Sequence, residues 1–138
     1  MKPATAGYSG TPLPAKLGVK SGMKFIALNA PPDLEMLLAG APNLERLARV
    51  APFECALAFV TTERALAAHF AKLAPKLVDA GMIWIAWPKK ASGVATELTE
   101  DVVRRAGLAA RLVDVKVCAI DVTWSGLKFV RRLRDRRV

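Results

Sequence analysis

The sequence has little of what metal sites and nucleophilic catalysis usually require. Its 138 residues include one histidine and two cysteines. His69 flanks an apolar helical stripe, remote from the predicted strand ends, so we interpret it as structural and expect no Ser-His-Asp or Cys-His arrangement. Cys55 and Cys118 fall in separate predicted strands and are expected to be free thiols of the core. These residues do not form a zinc ligand set, so we predict no bound metal.

Long apolar runs are also missing. No stretch approaches the roughly 20 apolar residues that a membrane-spanning helix needs. The first twenty residues contain three prolines and no continuous apolar core, so they do not resemble a secretion signal. With two cysteines expected to be unpaired, these absences predict a cytoplasmic protein with no membrane contact.

What is present indicates one packed domain. The composition is 53% hydrophobic and 24% charged, and the formal net charge is +9. A chain of this length buries roughly 68% of its unfolded surface, which is enough for a core without disulfide or metal support. We expect residues 1–20 to form an N-terminal segment with a short helix and residues 21–138 to form a single domain.

Short apolar runs between turn-forming residues predict the strands. Buried strands are expected over residues 23–28, 55–60 and 82–87. Residues 44–50 are compatible with an edge strand, and residues 48–54 with an extended segment along the side of the sheet. Residues 112–121 alternate apolar and polar side chains and predict, with residues 126–133, a closing hairpin.

Helix signals separate these strands. Proline-initiated stretches predict short helices over residues 12–18 and 31–38. Leucine and phenylalanine at helical spacing predict a helix over residues 62–79, which Pro75 kinks or splits and Gly81 ends. Thr99 is expected to cap a helix over residues 100–106 that ends at Gly107.

The alternation of strands and helices predicts the fold class. We expect a three-layer α/β domain with a mostly parallel sheet and a C-terminal antiparallel hairpin. Ligands of such sheets bind at the carboxyl ends of the strands. Functional residues are therefore expected just after Leu28, Val60, Trp87 and Ile120.

The loop after the strand at residues 82–87 is the first candidate site. Lys89, Lys90 and Ser92 supply two ammonium groups and a hydroxyl, and Gly93 permits close backbone approach, which suits a phosphate or carboxylate. The loop is not a P-loop, because the GxxxxGK[ST] order is missing. The alternative interpretation is a solvated basic loop.

The hairpin turn is the second candidate site. If residues 112–120 run parallel to the main strands, Asp121, Trp124 and Ser125 emerge on the same edge as Lys89 and Lys90. The alternative is ordinary turn chemistry, in which these side chains satisfy backbone groups and cover the end of the sheet.

The C-terminal residues hold more than half of the excess positive charge. Clustered guanidinium groups bind phosphates, so this run is a possible contact for nucleic acid or for an acidic protein. No aromatic residues interleave with the arginines as a single-strand platform would need, and a solvated tail is the alternative. The candidate residues are Arg131, Arg132, Arg134, Arg136 and Arg137.

Two resemblances carry further expectations. The segments GYSGTPL, WPKKASG with TELTEDVVR, and GLAARLVDVKVCAIDVTWSGLKFV resemble an uncharacterised bacterial family of short proteins, which implies kinship and no particular reaction. Residues 53–60, 73–88 and 107–130 are similar to the Rossmann-like fold of class I S-adenosylmethionine-dependent methyltransferases. That similarity implies a shortened fold with strand order 2-1-3-4-6-5 and an antiparallel last strand.

The methyltransferase resemblance implies two cofactor features that the sequence lacks. Those enzymes have a glycine-rich turn after the first strand and an acidic residue at the end of the second. Here residues 29–33 contain two prolines and no glycine. Arg49 and Val50 stand at the expected end of the second strand, and Glu54 lies beyond it. We therefore expect no cofactor.

These observations predict a protein that binds rather than catalyses. The expected ligand is a small anion or a phosphate-bearing molecule in a cleft at the carboxyl ends of the strands. The alternatives are a degenerate or atypical S-adenosylmethionine-dependent methyltransferase, and an adaptor that binds nucleic acid or acidic protein through the C-terminal arginines. The predicted ligand-binding residues are Asn29, Lys89, Lys90, Ser92, Gly93, Asp121, Trp124 and Ser125.

Overall fold

Six strands form one mixed sheet in the computed structural model, which describes residues 11–136. The strand bounds are β1 Lys24–Leu28, β2 Glu45–Arg46, β3 Phe53–Phe59, β4 Leu77–Pro88, β5 Leu112–Ala119 and β6 Trp124–Arg131. The helices are α1 Leu13–Leu17, α2 Leu34–Leu37, α3 Glu63–Leu73 and α4 Glu100–Ala109. No helix within these residues is long and apolar enough to cross a bilayer.

The strands lie in the order β2-β1-β3-β4-β6-β5. Strands β2, β1, β3 and β4 are parallel, whereas β6 is antiparallel to both β4 and β5. Strand β5 therefore runs in the same direction as β4, and the β5–β6 turn lies at the carboxyl edge of the parallel strands. The predicted fold class, the hairpin and the predicted strand order are confirmed.

Each face of the sheet has its own apolar core. On one face, α3 and α4 pack against the strands through residues such as Leu66, Phe70 and Val103. On the other face, the shorter α1 and α2 contribute Leu13, Leu17, Leu34 and Leu38. The domain therefore has the predicted three layers, with most of its helical mass on one side of the sheet.

A short extended segment replaces a helix between β2 and β3. Strand β2 has two residues, and residues 47–52 cross β1 to reach β3. Leu47 and Val50 from this segment pack against the same core as α3 and α4. The expected edge strand therefore exists in a shorter form, and its crossover covers the sheet with a few apolar side chains.

The predicted helix over residues 62–79 is too long. Thr62 caps α3, since its hydroxyl accepts from Ala65 N, but the helix ends at Leu73 and a 3₁₀ turn follows over Ala74–Lys76. The break coincides with Pro75, which has no N–H for a helical hydrogen bond. Leu77 then pairs with Phe53, so Gly81 lies inside β4 and does not end a helix.

Helices α2 and α4 also differ from their predicted bounds. Helix α2 covers Leu34–Leu37, so the prolines at 31 and 32 precede it in a turn. Thr99 caps α4 as predicted, with its hydroxyl accepting from Val102 N, but the helix continues through Gly107 to Ala109. Gly107 does not end the helix, and its lack of a side chain allows α4 to pack closely against Phe129 of β6.

Candidate functional site

A cleft of about 590 Å³ lies at the carboxyl end of β4. It is enclosed by the end of β4, the loop over residues 89–98 and the first residues of α4. Four of the predicted ligand-binding residues line it: Lys89, Lys90, Gly93 and Ser125. Trp87 and Leu98, both buried, add apolar surface to the same walls.

The topology brings the two predicted candidate loops together. The backbone N–H of Lys89 donates to Thr123 O at 2.7 Å, which joins the loop after β4 to the β5–β6 turn. Ser125 pairs with Trp87, so the two side chains share the face of the sheet that lines the cleft. The expected juxtaposition of Lys89 with Ser125 is therefore present.

The loop over residues 89–98 is held by hydrogen bonds at both ends. Ser92 Oγ donates to Lys89 O at 2.6 Å and accepts from Val94 N at 3.2 Å, so this hydroxyl is used inside the loop. At the other end, Thr96 Oγ1 donates to Thr61 O at 2.7 Å. Glu97 Oε1 accepts from Glu63 N at 2.7 Å, which places a carboxylate at the positive end of α3.

Asp121 and Trp124 have local structural roles. Asp121 Oδ1 accepts from Thr123 N and Trp124 N, each at 2.8 Å, as in the predicted alternative of ordinary turn chemistry. Trp124 precedes Ser125 and lies on the opposite face, where its ring meets Phe59 edge-on with centroids 5.0 Å apart. The cleft lining within residues 11–136 includes neither Asp121 nor Trp124.

Asn29 follows β1 and pairs with the single histidine. Its Nδ2 lies 3.2 Å from His69 Nε2, and its backbone is left-handed with φ of 53°. The expectation that His69 is remote from the strand ends is therefore wrong. Burial and the nearby Lys72 lower the pKa of His69, and a hydrogen bond to the Phe59 backbone partly opposes this shift. No local sequence pattern predicts this contact, because it depends on how α3 packs relative to the end of β1.

The residues at the expected cofactor position do not fit the methyltransferase cofactor. The turn after β1 contains Pro31 and Pro32, which offer no N–H groups, and no glycine. Arg46 is the last residue of β2, and its guanidinium donates to both carboxylate oxygens of Glu35, at 3.0 and 2.9 Å. The acid of β2, Glu45, pairs with the first residue of β1 and so lies far from the carboxyl edge.

The C-terminal arginines divide into two groups. Arg131 ends β6, and its Nη2 donates to Leu77 O at 3.0 Å and also to Ala74 O. Arg132 and Arg134 are exposed, and Arg136 is partly buried. Arg137, the last of the candidate residues, lies outside the described residues. Within residues 11–136, no three histidine, cysteine, aspartate or glutamate side chains are grouped so that they could hold a metal ion.

No family model matches the chain, and no curated protein sequence is significantly similar to it. Several solved structures do share its fold. The ribosomal protein L11 methylase of Lactobacillus delbrueckii subsp. bulgaricus is 11% identical with a TM-score of 0.58, and the match covers 87% of this chain and 75% of the other.

Two further methyltransferases with bound ligands are similar at the same level. For 1,6-didemethyltoxoflavin-N1-methyltransferase of Burkholderia thailandensis, which contains S-adenosylhomocysteine, the TM-score is 0.59 at 14% identity, over 87% of this chain and 76% of that one. For magnesium protoporphyrin IX methyltransferase of Synechocystis PCC 6803 with bound SAM, the TM-score is 0.59 at 10% identity, and the match covers 87% of this chain and 74% of that one. The chain therefore has a shortened methyltransferase-like fold.

Proposed function

We propose that this protein is a degenerate methyltransferase, with the sheet of that fold but without its cofactor site. The similarity to methyltransferases that contain SAM or S-adenosylhomocysteine supports common descent with these enzymes. The observation that carries the loss of the cofactor is the turn after β1, where the resemblance implies a glycine-rich turn and the chain instead has Pro31 and Pro32. These prolines have no backbone N–H to donate to a cofactor, and their rings prevent the close backbone approach that glycines allow.

A second candidate function is binding of a small anionic ligand in the cleft at β4. Lys90 is exposed on its wall, and its ammonium has no hydrogen-bond or ion-pair partner within residues 11–136. The two carboxylates of the lining are engaged elsewhere, Glu97 with Glu63 N and Glu100 with Arg104. The Lys90 ammonium is therefore available to an anionic ligand, and the buried Trp87 adds an apolar wall to the cleft.

The cofactor and anion proposals can be tested in one titration. Because Trp87 lines the cleft, its fluorescence should respond to a ligand there. The protein is titrated with S-adenosylhomocysteine, with adenosine monophosphate and with inorganic phosphate, and each titration is repeated with the double variant Lys89→Gln, Lys90→Gln. Lys76→Gln, an exposed lysine at the other edge of the sheet, is the matched control.

Each outcome decides between the proposals. We expect a phosphate compound to saturate the signal, with affinity reduced about tenfold or more in the double variant and unchanged in the control. Tight binding of S-adenosylhomocysteine would overturn the degenerate assignment and indicate an atypical, cofactor-binding methyltransferase. If neither adenosine monophosphate nor inorganic phosphate binds, the proposal that the cleft binds an anionic ligand is wrong.

A further inference from the structure

The amino-terminal edge of the sheet, opposite the cleft, gathers positive charge around the end of β6. Arg131 fixes this end, since it donates to the carbonyl oxygens of Ala74 and Leu77. Those two residues flank Lys76, an exposed residue of the 3₁₀ turn before β4. The chain after β6 is therefore held against this turn, with Lys76 nearby.

Strand pairing adds two more cations. Leu112, the first residue of β5, pairs with Arg131, the last residue of β6. Arg111 precedes this pair and Arg132 follows it, so both lie just beyond the same end of the hairpin. Both are exposed, as is Arg134. None of these four cations, Lys76, Arg111, Arg132 and Arg134, forms an ion pair within residues 11–136. We call these four residues and Leu133 the amino-edge basic surface.

Leu133 lies between Arg132 and Arg134 in the chain and is 78% exposed. It does not lie on a loose segment, because Asp135 N donates to Arg132 O at 2.9 Å and Arg136 N to Leu133 O at 3.2 Å, which closes a 3₁₀ turn. The turn presents the leucine to solvent between two exposed arginines. The only carboxylate of the turn, Asp135, is partly buried.

We infer that the amino-edge basic surface binds an acidic segment of a protein partner, with Leu133 as its apolar anchor. Charge complementarity favours an anionic partner, because none of the four cations of this surface forms an ion pair in the described part of the chain. An ordered, exposed leucine among arginines suits a protein pocket rimmed by carboxylates. Phosphate backbones offer nothing to a leucine, and the surface contains no aromatic side chain on which bases could stack.

The test compares an acidic protein probe with a nucleic-acid probe. Full-length protein is titrated with a fluorescent amphipathic peptide built of leucine and glutamate, and separately with oligothymidylate, at low and physiological salt. The variants are Leu133→Ser and the pair Arg132→Gln, Arg134→Gln. Arg64→Gln, at an exposed residue of the first turn of α3, is the control that lowers the net charge without touching this surface or the cleft.

We expect the peptide to bind, and its affinity to fall about tenfold in Leu133→Ser and at least as much in the arginine pair, with little change in Arg64→Gln. Leu133 is exposed, so its replacement should not affect folding, which circular dichroism checks. Equal peptide affinity in Leu133→Ser, or no peptide binding, would overturn the inference. If oligothymidylate binds more tightly than the peptide, with the same affinity in Leu133→Ser, the surface would instead be assigned to nucleic acid.

Discussion

Gly107 lies so close to the ring of Phe129 that a Cβ at position 107 would be 2.0 Å from Cε1 of that ring. The glycine is in the last turn of α4, and Phe129 belongs to β6. The contact brings the helix backbone directly onto the sheet. Phe129 is fully buried and also meets Phe70 of α3 edge-on, with ring centroids 5.1 Å apart, so it has no free space to move into.

Gly107→Ala is therefore expected to destabilise the protein by about 3 kcal/mol, because α4 or Phe129 must shift to admit the methyl group. The effect opposes helix propensity, which favours alanine by about 1 kcal/mol. Urea unfolding followed by circular dichroism measures the change. Ala109→Gly, at the exposed last residue of the same helix, is the control and should lose less than about 1 kcal/mol. An equally stable or more stable Gly107→Ala variant would contradict the packing.

Most strands could be predicted because a continuous apolar run between turn residues is a local signal. The start of β4 could not. Leu77 follows Leu73 at helical spacing and so fits the stripe of α3, yet it pairs with Phe53 as the first residue of a strand. The role of Gly107 could not be predicted either, because Phe129, the residue that requires a glycine there, lies in another element. Local patterns favour two structures at such positions, and a distant contact selects one.

Trp84 anchors α1 to the sheet. Its indole Nε1 donates to Leu17 O at 3.1 Å, at the carboxyl end of the helix, and the side chain is fully buried. Trp84→Phe leaves that carbonyl unpaired and a cavity beside it, so we expect a loss of about 3 kcal/mol in unfolding free energy. Limited proteolysis near α1 should also become faster.

Trp124→Phe is the matched control for Trp84, because it keeps an aromatic ring against Phe59. We expect it to lose about 1 kcal/mol and to leave proteolysis near α1 unchanged. Equal effects of the two substitutions would show that ring size matters and that the hydrogen bond to Leu17 does not.

The C-terminal arginines are expected to differ sharply in their effect on stability. Arg131→Met removes the donor shared by two backbone carbonyls, Ala74 O and Leu77 O, in a partly buried place. We expect a cost of about 2 kcal/mol. Arg132→Met, at an exposed neighbour, should change stability by less than about 0.5 kcal/mol. Chemical denaturation of both variants checks this, and similar losses would place Arg132 in the structural network as well.

Part of the candidate site followed from topology. Parallel strands end at the same edge of a sheet, which predicts that Lys89 and Ser125 lie close together. The face of each side chain was not predictable, since Trp124 and Ser125 are adjacent and point to opposite sides of the sheet. The register of β6 against β4 decides this, because it aligns Ser125 with Trp87. A shift by one residue would have placed the indole in the cleft.

His69 should make the stability of the fold depend on pH. Burial lowers its pKa below the ordinary value, and the ammonium of Lys72 acts in the same direction. In the unfolded chain the imidazole takes up a proton below about pH 6.5, whereas the folded protein resists protonation until a lower pH. The unfolded state therefore binds more protons in this window, and stability must fall as the pH decreases.

We expect the unfolding free energy to be greatest above the unfolded pKa and to decrease as the pH falls toward the folded pKa of His69. His69→Gln keeps a hydrogen-bonding group near Asn29, cannot titrate, and should flatten this part of the profile. Because His69 is the only histidine, its imidazole resonance gives the folded pKa without assignment ambiguity. Asn29→Ala removes the hydrogen bond to Nε2 without removing Lys72 or the burial, so the pKa should stay lowered. A midpoint at or above the ordinary histidine value would refute the burial argument.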